Sequence, residues 1–284
     1  PIFYNLYREA DVPWPDMYEA DKRPRHPFLD AMRKCLCFDE TMDPAMVRRA
    51  ITAYFGLTSF LDDNIGKILR ALEETGLLAN TRVVYTSDHG DNLGTRGLWG
   101  KSTMYEESAG IPMIAAGPGI PAGRVCDTPV TLADGFPTYV QSVGAKFATE
   151  DATLPGASLI DIANGAAPQR TILSEYHAAG AMTGTSMIRH GNYKYIHYAG
   201  LPPMLFDLAA DPFERNDLGR NAQYASVIAE CQTALSKVVD ADKADHEAKA
   251  EQRVYIDKHG GKDAILKRGH FRYSPPPGVK AAFH

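Results

Sequence analysis

The chain has 284 residues, 44% of them hydrophobic and 23% charged, the range of an ordinary globular protein with one large core or two smaller ones. Thirty Lys and Arg against 35 Asp and Glu give a formal charge of −5, which excludes the basic footprint of a nucleic-acid binder. No apolar run reaches the length of a membrane-spanning helix, and the four cysteines, Cys35, Cys37, Cys126 and Cys231, lack zinc-like C-x-x-C spacing and read as free thiols of a reducing compartment.

The chain opens at Pro1 with "PIFYNLYREADVPWPDMY", whose aromatics need a partner surface. It shows no signal segment and reads like the middle of a domain, so we expect a piece of something longer. Residues 1–44 predict loop with short helical turns. From Met46 to Leu72 apolar residues recur at three- and four-residue steps, which predicts a long amphipathic helix. Asp43 and Pro44 suit its start and Gly76 its stop. Arg82–Ser87 and Ile111–Gly117 each predict a short buried strand. Ala133–Val143 predicts a helix that Pro137 weakens. "RTILSEY" predicts a third strand. "TSMIRHGNYKYIHYAG" predicts two strands around the turn His190-Gly191-Asn192, and "MLFDLAADPFERNDL" a strand and turn. A helix is expected from about Ala222 to Lys249. The Pro-rich tail "RYSPPPGVKAAFH" cannot build a core of its own, so it lies on something or is mobile.

Helix–strand alternation in the first half predicts an α/β fold on a mostly parallel sheet flanked by helices. The hairpin-rich second half predicts a smaller antiparallel α+β subdomain. The expected division is 1–158 and 159–284.

"TSDHGDNLGTRGLWGK" follows the first predicted strand. Ligands of open α/β sheets bind outside the carboxyl ends of strands, where Asp88 falls. Asp88 and His89 diverge on a regular strand but can converge on one ion at a turn. Carboxylate and imidazole are a ligand pair for a divalent metal. Gly90, Gly94, Gly97 and Gly100 permit close approach of the loop to a ligand, and Lys101 can return a cation to the same place. The residues alone fit an Asp-capped turn with a surface His equally well.

The stretch "TRVVYTSDHGDNLGTRGLWGKSTMYEESAGIPMIAAGPG" resembles the sulfatase family of the alkaline phosphatase superfamily, in the branch of choline sulfatases and phosphonate monoester hydrolases. The shared pattern is a strand, S-D-[HN]-G, a Gly-rich loop, a Lys about a dozen residues on, and a "P-x-I-x-x-x-P-G" strand. The helix "AYFGLTSFLDDNIGKILRALEETGL" resembles the one the family carries before this motif. "GNYKYIHYAGLPPMLFDLAADPFERNDL" is similar to its C-terminal signature. The resemblance implies an alkaline phosphatase-like fold, Asp88 and His89 as ligands of one divalent metal, and Lys101 as the lysine that contacts sulfate or phosphate. The ion would be Ca2+ or Mn2+, with Mg2+ or Zn2+ as alternatives. His rather than Asn after the Asp, and the twelve residues from His89 to Lys101, point to the choline sulfatase and phosphonate hydrolase side. The implied chemistry is attack by a formylglycine hydrate on a small-molecule sulfate or phosphate ester. We further expect no nucleic acid or membrane partner, a homo-oligomer, and a cytoplasmic location with the periplasm as alternative.

Parts of the family pattern are absent from these residues. Two acidic metal ligands and the C-x-[PAS]-x-R segment of the nucleophile find no match, because none of the four cysteines has the required neighbours. His26, in "RPRHP", reads as a surface histidine rather than the leaving-group histidine. The expected function is therefore a metal-dependent sulfatase whose nucleophile lies outside this chain. The alternatives are a phosphonate monoester or phosphodiester hydrolase and a non-catalytic fragment or binding subunit. Glu175, at the end of the third predicted strand, either faces a cationic substrate group or makes a salt bridge at the domain seam, and His177 shares that ambiguity. Asp62 and Asp63 read as a solvated helix face, Tyr193, Tyr195 and Tyr198 as hairpin packing, and Asp207, Asp211 and Glu214 as a structural turn.

Overall fold

The structure is a computed structural model and describes residues 2–36, 38, 42–166 and 169–269. Helix α1 spans Pro27–Cys35 and the long helix α2 spans Pro44–Glu74. Asp43 caps α2 by accepting from the Ala45 N–H at 3.1 Å, and the proline stands at the first helical position, where no amide donor is needed. The aromatic opening segment finds its surface on the first half of α2. Phe3 packs edge-on to Phe60 at 5.4 Å and Tyr7 to Phe55 at 5.5 Å. Beyond Gly56 much of the apolar stripe is exposed, with Leu57 65% and Ile68 60% exposed.

Strands β1 (Val83–Thr86) and β2 (Met113–Ala116) form a two-stranded sheet. Between them lies α3 (Glu106–Ala109). The expected mostly parallel sheet is corrected here: β1 and β2 pair antiparallel, with Val83 opposite Ala116 and Thr86 opposite Met113. A parallel pair needs a crossover that carries the chain back past the sheet. The connection of residues 87–112 instead turns the chain around at the carboxyl end of β1, with one short helix. Both strands are also half-exposed rather than buried. The sheet has α2 against one face, across a groove of about 560 Å³ lined by Leu61, Ile65, Tyr85 and Ile114. On the other face Val84, Thr86 and Met113 line a cavity of about 220 Å³ together with Phe136, Tyr139 and Leu159. Those residues belong to α4 (Gly135–Ser142) and α5 (Leu159–Ala163). Pro137 fits because it stands in the first turn of α4, where no intrahelical donor is lost.

The second sheet is antiparallel as expected, with strands in sequence order: β3 (Thr171–Tyr176), β4 (Thr185–His190), β5 (Tyr193–Tyr198) and β6 (Leu201–Asp207). His190 faces Tyr193 across the tight turn Gly191-Asn192. The period of two sends alternate residues to opposite cores. Ile188, Tyr195 and Leu205 pack with Cys231, Ala234 and Leu235. Met187, Ile196, Tyr198, Met204 and Phe206 pack with Phe28, Leu29 and Met32 of α1 and with Leu98, Met104 and Tyr105. The loop that follows Asp88 is thus built into a core shared with the C-terminal sheet. The helix expected over 222–249 is two helices, α6 (Ala225–Ser236) and α7 (Ala241–Lys258), followed by α8 (Gly261–Arg268). Asp240 starts α7 by accepting from the Lys243 N–H at 3.1 Å, so an N-cap interrupts the pattern. The Pro-rich tail and Cys37 lie outside the described residues. Among the described residues no helix is long and apolar enough to cross a membrane.

Candidate active site

Strand β1 delivers Ser87, Asp88 and His89 at its carboxyl end. The turn there is closed locally: the Ser87 hydroxyl donates to the His89 carbonyl at 2.7 Å, and the His89 N–H donates to Asp88 Oδ1 at 3.0 Å. The two adjacent side chains therefore converge. Asp88 Oδ2 lies 3.3 Å from His89 Nε2.

The imidazole is fixed by its other nitrogen. His89 Nδ1 lies 2.8 Å from the Gly90 carbonyl, which can only accept, so Nδ1 carries the proton. Lys101 Nζ lies 2.8 Å from Nε2, and an ammonium can only donate, so Nε2 presents its lone pair. A lone-pair nitrogen beside a carboxylate oxygen, with an ammonium already drawn to it, is a place that attracts cations. Asp88 is 80% exposed in its side chain. Desolvation pushes its carboxyl up, but the neighbouring His89, the nearby backbone N–H groups and the Lys101 ammonium outweigh it and hold the group below its ordinary value.

This donor set fits a divalent metal. One carboxylate oxygen and one neutral imidazole nitrogen suit calcium, manganese, magnesium or zinc to different degrees, and the bond from Nδ1 to a backbone carbonyl is the usual way such a ligand is oriented. Among the described residues no third His, Cys, Asp or Glu joins them in a metal-holding group. Two donors fall short of the four or more such ions take.

Sequence reasoning did not single out the residues that shape the loop. Asp91 Oδ1 accepts from the N–H of Leu93 at 2.8 Å and of Gly100 at 3.0 Å, which closes the loop on itself. Buried Asn92 donates to the Gly100 carbonyl at 2.7 Å from its side chain. Gly90 is required by close approach, but to protein rather than to a ligand: a Cβ there would stand 2.1 Å from the Glu107 carbonyl oxygen. Inside the loop Arg96 has φ +56° and is buried, with its guanidinium 2.8 Å from Glu107 and 3.9 Å from the Tyr105 ring centroid. The glycine-rich loop is thus a pinned structure.

The remaining candidates fall elsewhere. Glu175 Oε1 accepts from the Ser186 hydroxyl across the sheet at 3.1 Å and lies 3.5 Å from His177 Nε2. Among the described residues no hydrogen bond or ion pair joins Glu175 to Asp88, His89 or Lys101. His26 is buried, which corrects its reading as a surface residue. Its Nδ1 caps α1 by accepting from the Phe28 N–H at 3.2 Å, and its Nε2–H donates to the Pro202 carbonyl at 2.9 Å. Cys35 and Cys126 are exposed free thiols, and Cys231 is a buried one whose thiol burial pushes up to about 11.

Comparison with known proteins places this geometry. The family model "Sulfatase" matches residues 8–145, and "N-sulphoglucosamine sulphohydrolase, C-terminal" matches residues 94–241. The choline-sulfatase of Rhizobium meliloti is 34% identical over 220 residues, which are 77% of this chain and 43% of that protein. Arylsulfatase K of Danio rerio is 32% identical over 68% of this chain and 38% of its own length. The solved phosphonate monoester hydrolase of Silicibacter pomeroyi superposes with a TM-score of 0.71 at 26% identity, over 81% of this chain and 51% of that one. The chain thus spans about half, or less, of each of these relatives. Two overlapping family models and an S-D-H-G turn at the end of a strand lead to one conclusion: the chain belongs to the sulfatase family.

Proposed function

We propose that the protein carrying this chain is a metal-dependent hydrolase of small-molecule sulfate esters, and that this chain contributes part of its active site. The carrying observation is the cluster in which Asp88 Oδ2 and Lys101 Nζ lie 3.3 and 2.8 Å from the same nitrogen, His89 Nε2. Asp88 and His89 would hold a divalent ion, for which calcium and manganese are the first candidates, and that ion would supply charge neutralisation to the ester oxygens. Lys101 presents its ammonium beside them, so it is placed to neutralise charge that develops on the transferred group. The Gly90 carbonyl keeps the imidazole in the tautomer whose Nε2 carries the lone pair.

The nucleophile, which we take to be a formylglycine, and the remaining ligands are assigned to residues outside this chain. None of its four cysteines stands in the C-x-[PAS]-x-R setting such a residue needs. Glu175 remains a candidate for the cationic end of a substrate in the complete protein. The units 1–158 and 159–284, a homo-oligomeric assembly and a cytoplasmic rather than periplasmic location belong to the same proposal.

A second reading, a phosphonate monoester or phosphodiester hydrolase, is favoured by the likeness to the Silicibacter pomeroyi enzyme. Assay of the full-length protein against matched sulfate, phosphate and phosphonate esters separates the two. The proposal expects the highest kcat/KM on a sulfate ester. A phosphonate or phosphodiester preference installs the second reading, and no turnover of any ester indicates a non-catalytic binding subunit.

A further inference from the structure

We propose that Lys194 and Glu214 are positioning residues for the turn that carries His89, acting from the C-terminal sheet through α3. The proposal rests on the hydrolase reading for its effect on turnover, and on geometry alone for its effect on the turn.

Lys194 occupies an odd place for a lysine. On β5 it shares a face with Ile196 and Tyr198, so the strand period sends it inward, and its side chain is fully buried. A buried ammonium costs heavily unless all three donors are used. Here Nζ donates to the Met104 carbonyl at 2.9 Å and is paired with two carboxylates, Glu214 Oε1 at 2.8 Å and Glu106 Oε1 at 2.5 Å. Glu214 is equally buried, and its second oxygen accepts from the Glu106 N–H at 2.7 Å. The pair therefore grips the chain at the start of α3 from two sides.

From α3 the path to the site is short. The Ser108 carbonyl accepts from the Gly90 N–H at 2.8 Å. The Gly90 carbonyl in turn takes the proton of His89 Nδ1. An ion pair, three hydrogen bonds and the intervening backbone of α3 and Gly90 thus link Lys194 to the atom that sets the histidine tautomer.

A second strut runs in parallel. Arg96 reaches the carbonyls of Phe213 and Glu214 from within the loop. Both Arg96, φ +56°, and Glu214, φ +51°, are buried non-glycine residues in the left-handed region. Such conformations persist only where surrounding contacts over-determine them. The C-terminal signature around Lys194 and Glu214 is therefore more than a turn that ends a strand.

The test uses the full-length protein with Lys194→Met and with Lys194→Met/Glu214→Leu. The single change leaves a buried carboxylate without its partner and can unfold the chain. The double change replaces the pair by apolar groups, which proteins often tolerate. Two readouts are taken on the double variant: amide hydrogen exchange, and kcat and KM on the best ester. Exchange at residues 90–109 is expected to accelerate about tenfold or more, with β4 and β5 changed less than about twofold, since local opening rather than global unfolding is involved. kcat is expected to fall about tenfold or more with KM moving less, the pattern of a misplaced catalytic group. Unchanged exchange at 90–109, exchange raised equally in every element, or loosened exchange with unchanged kcat in an active enzyme each overturns the proposal. If the natural protein hydrolyses no ester, the hydrolase reading fails, and the exchange experiment still decides whether the pair holds the turn.

Discussion

Lys101 Nζ stands 2.8 Å from His89 Nε2, although twelve residues and a closed loop separate the two in the chain. Lys101 is otherwise exposed, so the contact reflects the site's charge rather than burial.

The first prediction follows. In the full-length protein, Lys101→Ala should lower kcat/KM by about 10²–10³, the scale of removing one group that stabilises transition-state charge. The melting temperature should move by about 2 °C or less, as for an exposed substitution. Unchanged turnover with a lowered melting point would make Lys101 a structural pairing residue only.

A pH dependence is expected from Glu214. Burial pushes its carboxyl above the ordinary value and the charge of Glu106 adds to this, while Lys194 and the Glu106 N–H pull against it. The native state then holds a proton that the unfolded chain has already released, so stability from this group is full below the unfolded value and declines as pH rises through the native one. Urea unfolding of the natural protein and of Glu214→Gln, compared from about pH 4.5 upward, should show the natural protein losing ground by at most about 1.4 kcal/mol per pH unit before levelling. A difference that grows with pH would mean Lys194 wins and the carboxyl is lowered.

Residues 1–284 expressed alone should be inactive and prone to associate. Both strands of the first sheet are edges, and Leu57, Leu61 and Ile68 leave much of the stripe of α2 exposed. Light scattering and an ester assay with added calcium or manganese check this. Metal-dependent turnover by the isolated chain, abolished by Asp88→Ala, would show that it carries its own nucleophile.

What could be read in the sequence divides along physical lines. The S-D-H-G turn was legible because strand, acid, imidazole and lysine come in one short run. The C-terminal hairpin was legible because its turn is local and its strands alternate. The direction of β2 was not, since helix–strand alternation says nothing about where a 26-residue connection turns. His26 was misread because its burial depends on Pro202 and Tyr198, far away in the chain. Lys194 left a usable sign, a lysine on the inward face of an alternating strand. Its partner Glu214 was legible only as part of a structural turn, and Glu106, far back along the chain, left no sign.

The most direct measurement is sulfate release by the full-length protein before and after chelation, set beside Asp88→Ala and His89→Ala. Release should stop when the metal is stripped, return with calcium or manganese, and fall by about 100-fold or more in each variant, as when a group that organises transition-state charge is removed. Sulfate release indifferent to chelation and to both substitutions would contradict the assignment of Asp88 and His89 as the metal-holding pair.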